Sequence, residues 1–204
     1  MARHISCDVR SSADVVRATS AALAWSGRLD VLVNNAGMSA WRPLQDIDDA
    51  FWADMLAVNL SSVLYTCRAA LPHLERGASI VNVSSLAGKR GSANNTAYCA
   101  AKFGVNGLTQ SLAKELGPRG IRVNAVCPVY VETDGLREAL ASPQSPTNGQ
   151  PVDAYLSEFA RGQAALGRLP MAEEIAAACV MLASPDAGAI TGQCVNVDCG
   201  VLPQ

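Results

Sequence analysis

Histidine is almost missing from this 204-residue chain: His4 and His73 are the only two. With histidine so scarce and no C-x-x-C pair among the seven cysteines at 7, 67, 99, 127, 179, 194 and 199, a zinc site is not expected and no metal ligand is assigned. The odd number of scattered cysteines reads instead as buried free thiols in a reducing compartment. Charge is sparse as well, at 17% of residues, and nearly balanced, with 18 acidic against 16 basic side chains and a net charge of −2. Lysine and arginine form no block or stripe, which excludes an electrostatic footprint for nucleic acid or an anionic membrane. The longest apolar run, "IAAACVMLA" at 175–183, is far short of the roughly 20 residues of a bilayer span and reads as a buried helix. The first ten residues contain no apolar stretch of a secretory signal, so a cytoplasmic protein is expected.

What the chain has in quantity is hydrophobic residues, 50% of the total, enough for one α/β domain with a sizeable core over 1–204. Four Val-rich runs read as strands: "LDVLV" at 29–33, "SIVNV" at 79–83, "IRVNAV" at 121–126 and "CVNVD" at 194–198. The opening "HISCDV" at 4–9 reads as the end of a further one. The runs are continuous rather than alternating, as parallel strands covered on both faces are. Between them lie stretches with helical period, among them Phe51, Met55, Val58 and Ser62, then Ala101, Val105, Leu108, Leu112 and Leu116. The alternation predicts a doubly wound parallel sheet with right-handed crossovers and a ligand crevice at the carboxyl ends of the strands. The segment "ASPQSPTNGQPVD" at 141–153, with three prolines and no apolar period, reads as a mobile loop near the site.

The chemistry-bearing residues fall after those strands. "NNAG" at 34–37 follows the first run directly, and "NVSSLAG" at 82–88 puts Ser84 and Ser85 at the crevice edge; taken alone, each could equally be a turn or a cap. "YCAAK" at 98–102 opens a long helix and sets Tyr98 and Lys102 one turn apart on the same face. An ammonium beside a phenol favours the phenolate, and a tyrosine of ordinary pKa about 10 must fall by about three units to work as a base near neutrality. That asks for roughly 4 kcal/mol, more than one exposed lysine supplies, and calls for a buried lysine together with a cationic cofactor.

In company the motifs become specific. The string "SSLAGKRGSANNTAYCAAKFGVNGLTQSLAKELGPRGIRVNAVCPVYVET", with "DVLVNNAG" before it and "GRLPMAEEIAAACVMLASPDAGAITGQCVNVDCG" after it, closely resembles the classical short-chain dehydrogenases/reductases, in a general way those reducing 3-oxoacyl-carrier-protein substrates. The resemblance runs from Cys7 nearly to the last residue. It implies a Rossmann-like fold and a catalytic set of Asn59, Ser85, Tyr98 and Lys102. Tyr98 would exchange a proton with the substrate oxygen while hydride moves to or from the nicotinamide. Ser85 would hold that oxygen, and Lys102 would bind the ribose hydroxyls and lower the Tyr98 pKa. Asn59 would distort its helix and help hold a proton-relaying water. Asp8 and Val9 would lie along the adenine, Asn35 near the adenosine-side ribose with Ala36 and Gly37 beside it, and Val131 and Thr133 at the carboxamide and phosphates. The implied cofactor is NAD or NADP, the substrate a small ketone or secondary alcohol chosen by the variable region 134–168, and the assembly a homodimer or homotetramer.

Three departures from the family pattern stand out. The family's Thr-Gly-x-x-x-Gly-x-Gly turn, which cradles the pyrophosphate, is absent, as are its first two strands and their helices. In the family's strand order 3-2-1-4-5-6-7 those strands lie between "HISCDV" and "LDVLV", so the expectation is an N-terminally truncated domain in which "LDVLV" is an unpaired apolar edge. A Val at 129 and a Cys at 199 stand where the family usually has Gly. A second reading is a non-catalytic subunit, working through the helices near 48–72 and 97–117 that resemble the family's interface helices.

Overall fold

The computed structural model describes residues 2–203. The first helix, α1 (Ser12–Ser26), starts where the Ser11 hydroxyl accepts the Asp14 N–H and stops at Gly27, whose left-handed φ of +76° returns its N–H to the Leu23 carbonyl. Strand β1 (Leu29–Asn34) follows. Next come α2 (Asp49–Leu56), capped by Asp48 through the Phe51 N–H, a π-helical turn at Ala57–Ser61 and α3 (Ser62–Ala70). Strand β2 (Leu74–Val83), the long α4 (Thr96–Leu116) and β3 (Arg122–Pro128) form the centre. Three further helices, α5 (Asp134–Leu140), α6 (Val152–Gln163) and α7 (Ala172–Ala183), precede β4 (Cys194–Val197).

The four strands form one parallel sheet in the order β1-β2-β3-β4. The period of two along each strand assigns alternate residues to opposite layers. Ile80 and Val123, which share a register position, pack toward Val63 and Cys67 of α3 and Val105 of α4. Val81 and Val126 pack against Ile175, Cys179 and Leu182 of α7. Both faces of the central strands are therefore buried, which is why "SIVNV" and "IRVNAV" read as continuous apolar runs. The helical face expected from Ala101 to Leu116 is the buried one, with Ala101 and Val105 fully enclosed.

Several expectations need correction. "HISCDV" is not a strand: it runs as irregular chain beside α1, held by the Arg17 guanidinium on the Ser6 carbonyl at 2.8 Å and by Arg3 stacked 5.5 Å from the Trp25 ring. A strand exists by its ladder, and no strand lies beside this segment among the described residues. "IAAACVMLA" is buried on one face only; Ile175, Cys179 and Leu182 face the sheet while Val180 is 69% exposed. The helix near 48–72 is interrupted by its π turn and ends in a 3-10 turn at Leu71–His73. The stretch 141–153 is not an open loop: 141–149 is a chain of turns, with Ser145 and Thr147 buried and the Ser145 hydroxyl donating to the Leu140 carbonyl at 2.6 Å, and Val152 and Asp153 already belong to α6. No helix among the described residues is long and apolar enough to cross a membrane.

The expected open edge is present. β1 is the terminal strand of the sheet, and its Val31 and Val33 stand 43% and 46% exposed where α7 does not reach. Of the two substitutions for glycine, Val129 is harmless, since the only non-glycine residues with positive φ among those described are Asn94, Asn148 and Cys199. Cys199, at φ +54°, occupies the left-handed region that costs a side-chain-bearing residue about 1 kcal/mol. Replacing Cys199→Gly is therefore expected to raise Tm by about 2–4 °C. Gly200→Ala is expected to lower it, because Gly200 sits at φ +82° and an added Cβ would meet the Ala165 side chain at 2.6 Å. Thermal melts in which Cys199→Gly is the less stable protein would contradict this account of the turn.

Candidate active site

The carboxyl ends of β1, β2 and β3 open on one cavity of about 660 Å³, walled by Asn35, Gly37, Ser85, Tyr98, Lys102, Val131 and Thr133 among others. A buried polar chain holds this end of the fold together. The Asn34 amide donates to Asn82 Oδ1 at 2.8 Å, Asn82 Nδ2 donates to Thr109 Oγ1 at 2.9 Å, and the Thr66 hydroxyl donates to Asn34 Oδ1 at 2.6 Å. β1, β2, α3 and α4 are thereby linked side chain to side chain at the level where the strands end. The sequence reading did not find this link, although an asparagine in each of two otherwise Val-rich strands was the signal available.

Asn59 lies within the π turn, fully buried. Its Nδ2 donates to the Met55 carbonyl at 3.0 Å and its Oδ1 accepts the Met38 N–H at 3.1 Å, so the side chain joins the distorted helix to the loop after β1. That loop approaches so closely that a Cβ on Gly37 would stand 3.0 Å from Asn59 Oδ1 and 3.6 Å from Lys102 Nζ. Gly37 is thus required by close approach rather than by a turn.

Lys102 is 4% exposed, and its ammonium donates to the Val83 carbonyl at 2.9 Å. Burial depresses its pKa from 10.5 to about 8. Its Nζ lies 5.6 Å from the centre of the Tyr98 ring. Burial pushes the Tyr98 phenol up to about 12, with the Ser85 hydrogen bond offsetting part of the rise. In the protein alone, then, desolvation dominates and Lys102 does not bring the phenol toward neutrality. Ser85 serves both readings of its motif: its Oγ caps the 3-10 turn Leu86–Gly88 by accepting the Ala87 N–H at 3.1 Å, and it bonds to Tyr98. The neighbouring Ser84 hydroxyl, also buried, donates to the Lys102 carbonyl at 3.3 Å.

Asn35, Gly37, Val131 and Thr133 line the cavity together with Ser85, Tyr98 and Lys102; Ala36 is not part of its wall. Asp8 and Val9 are not brought to it either. The Asp8 carboxylate pairs with Arg10 at 2.9 Å, which keeps its pKa low, and Arg10 reaches on to Asp54 at 2.9 Å. Nor does Asp8 cap α1, a task that falls to Ser11. The wall also contains residues that the sequence reading missed: Trp41, Arg90, Asn95, Tyr130, Leu136 and Phe159. Tyr130 packs edge-on to Phe159 with ring centres 4.9 Å apart, and only its place just after β3 marked it in the sequence. The residues present fit the nicotinamide and ribose half of a dinucleotide: a side chain at 37 would crowd Asn59 Oδ1 and approach the Lys102 ammonium, and without one the Lys102 donors border the cavity.

A family model described as enoyl-(acyl carrier protein) reductase matches residues 1–202. The chain is 41% identical over 204 residues to the short-chain reductase protein NovJ of Streptomyces niveus, covering 98% of this chain and 74% of that protein. It is 40% identical over 177 residues to the 3-oxoacyl-[acyl-carrier-protein] reductase FabG of Haemophilus influenzae, covering 86% and 68%. Among solved structures, carveol dehydrogenase from Mycobacterium avium in complex with NAD superposes with a TM-score of 0.88 at 34% identity, covering 97% of this chain and 73% of that one.

The depressed Lys102 pKa has a consequence for stability. Below pH 8 the lysine is charged in both states, and its burial costs folding on the order of 3 kcal/mol. Between about pH 8 and 10.5 the folded form has released the proton while the unfolded form still holds it, so this cost is relieved as pH rises. Lys102→Met is expected to remove the dependence and to leave Tm at pH 7 at or above that of the parent. A variant melting more than about 5 °C lower would show that the Val83 hydrogen bond outweighs the buried charge.

Proposed function

Because the chain belongs to the classical short-chain dehydrogenase/reductase family, we propose that it moves hydride between NAD or NADP and a small ketone or secondary alcohol, with Tyr98 exchanging the proton. The observation that carries this reading is the convergence of Ser85, Tyr98 and Lys102 on one cavity, with Asn59 locked behind them. The nicotinamide, when bound, supplies or accepts the hydride; the protein's own residues orient and protonate. Asn35, Gly37, Lys102, Val131 and Thr133 hold the cofactor on this reading. Asp8 and Val9 would join them only by leaving their present positions beside α1.

The proton chemistry follows from the two perturbed groups. A phenol with a pKa near 12 stays protonated at any working pH, which suits Tyr98 as the acid that gives a proton to the oxygen of a carbonyl substrate. The Ser85 hydroxyl, which bonds to Tyr98 in the protein alone, would turn its hydrogen to the same substrate oxygen while its Oγ goes on accepting the Ala87 N–H. Lys102 is cationic below about pH 8, and there its charge stabilises the phenolate left behind by the transfer. Asn59 fixes the backbone at Met38 and so the shape of the loop beside Gly37. A relayed proton through a water held near Asn59 would restore Tyr98 after each turnover.

The second reading, a non-catalytic subunit, has one observation in its favour: Trp52, Leu64 and Phe103 are exposed on α2, α3 and α4. Those same side chains suit a homo-oligomer of a working enzyme. The seven thiols, free of disulfides among the described residues, support a reducing, cytoplasmic setting.

Tyr98→Phe keeps the ring and removes the transferable proton. The expected result is a fall of about 10²–10⁴-fold in kcat with cofactor binding retained, measured by nicotinamide absorbance against a panel of ketones. A variant within about twofold of the parent rate would mean that another group is the acid. Parent activity in the reducing direction is expected to decline as pH rises through about 8, with the Lys102 charge.

A further inference from the structure

Arginine in this protein ordinarily stands against an acceptor. Arg10 meets Asp8, Arg28 meets Asp30 and Arg168 meets Glu174, while Arg122 is spent on the carbonyls of Leu182, Ala183 and Ser184. Arg90 lines the same cavity as Ser85 and Tyr98, and its guanidinium has no hydrogen bond or ion pair among the described residues. Its root is fixed: the Arg90 N–H donates to the Leu86 carbonyl at 3.0 Å, and the turn before it is fastened to α4 by Asn106 Nδ2 on the Gly88 carbonyl at 2.8 Å. A Cβ on Gly88 would meet the Lys102 carbonyl at 2.6 Å, so this turn lies directly on the helix that carries Tyr98. Burial and the Tyr155 hydroxyl raise the pKa of the Tyr130 phenol, and the Arg90 charge offsets part of that rise, which puts the guanidinium on the Tyr130 side of the cavity. The one carboxylate in the wall, Glu138, forms no ion pair with it. A cation with five donors, rooted in a cavity wall and matched to nothing there, is positioned to meet an anionic group of a ligand.

We propose that the cavity takes carbonyl substrates that also carry a carboxylate, with Arg90 binding the carboxylate while the carbonyl meets Tyr98. The guanidinium fork matches both oxygens of a carboxylate, and a neutral carboxamide of the same shape forfeits the charge. One unpaired guanidinium in a wall that also holds Glu138 suits a monoanion; a phosphate dianion would bring a second negative charge that Arg90 alone does not balance and Glu138 repels. Trp41, Tyr130 and Phe159 stand in the same wall and offer ring faces to the skeleton joining the two ends of the substrate. Arg90 thus acts in specificity, and the assignment rests on the hydride-transfer reading only for which group meets Tyr98.

Saturation-transfer NMR titrations of the full chain at pH 7, with and without NAD, compare 4-acetylbenzoate with its neutral isostere 4-acetylbenzamide. NAD in its oxidised form cannot reduce a ketone, so binding is read without turnover. Arg90 is solvent-exposed, and a charge pair of that kind gives the carboxylate an expected advantage of about three- to fivefold at low ionic strength, shrinking as salt is added. Arg90→Gln is expected to bring the preference below about 1.5-fold, Arg90→Glu to turn it in favour of the amide and Arg90→Lys to keep part of it, each with Tm within about 2 °C of the parent. Equal binding of the two compounds by the parent, binding of neither, or a preference that survives Arg90→Gln overturns the proposal. 4-Acetylphenyl phosphate is the arm for a phosphate ligand, and tighter binding of it than of 4-acetylbenzoate would overturn the choice of carboxylate. Turnover with NADH and NADPH is followed separately. A carboxylate preference without turnover of any ketone would refute the hydride-transfer reading and leave Arg90 in its role, whereas turnover without the preference would refute Arg90 alone.

Discussion

The amide link between Asn34 and Asn82, 2.8 Å across two parallel strands, is the interaction on which the arrangement of this protein turns. Strands in a parallel sheet can slide in pairs of residues without changing which side chains face the helices. A buried side-chain amide removes that freedom, because a slip would strand polar atoms in an apolar layer. With Thr66 on one side and Thr109 on the other, the link also fixes how far α3 and α4 reach along the sheet. The level at which β1 and β2 end is thereby set, and so are the starts of the loops carrying Asn35 and Ser85. The same α4 that receives Asn82 presents Tyr98 and Lys102 at its other end.

Around that frame the site is built from groups that are costly to bury. Lys102 lies almost wholly inside with a single carbonyl as its partner in hand, Asn59 spends both ends of its amide on backbone, and Asn95 has an amide oxygen with none. A core chosen for stability alone would place leucine or methionine at such positions. Their concentration along one cavity separates this wall from the layers on either face of the sheet, where Ile80, Val81, Val123 and Val126 are enclosed and the polar residues buried among them, Ser79, Asn82 and Asn124, all have hydrogen-bond partners. The π turn at Ala57–Ser61 belongs to the same pattern, since an extra residue in a helix aims Asn59 at the loop after β1.

The sequence made the repeating parts of this fold legible. Val-rich runs and three-to-four-residue spacing locate β2, β3 and α4 because those elements are patterned by burial on their own faces; β1 has the same Val-rich composition although its Val31 and Val33 are exposed. Legibility failed where an element depends on something distant in the chain. "HISCDV" has the composition of a strand, yet its state is decided by whether a neighbour is there to pair with. "IAAACVMLA" is apolar all round, yet Ile175, Cys179 and Leu182, with Ala178 and Ala183 beside them, find the sheet while Val180 and Met181 stay exposed. At the site, Ser85, Tyr98 and Lys102 were readable from a strand end and a helical spacing. Trp41 and Phe159 come from separate loops and helices, and no local signal could bring them to one wall. The Tyr98 phenol shows the limit of motif reading most plainly, since spacing from Lys102 argues for a lowered pKa while enclosure raises it.

The central claim is that this cavity hands a hydride directly between a nicotinamide and a carbonyl carbon. The most direct measurement supplies NADH or NADPH carrying deuterium at both C4 positions to the full chain with a ketone in ordinary water, and reads the product alcohol by NMR. The account predicts deuterium on the carbinol carbon, with the hydroxyl proton drawn from solvent by way of Tyr98. Product whose carbinol carbon carries only solvent hydrogen, or no product at all across a panel of carboxylated and neutral ketones, would contradict it.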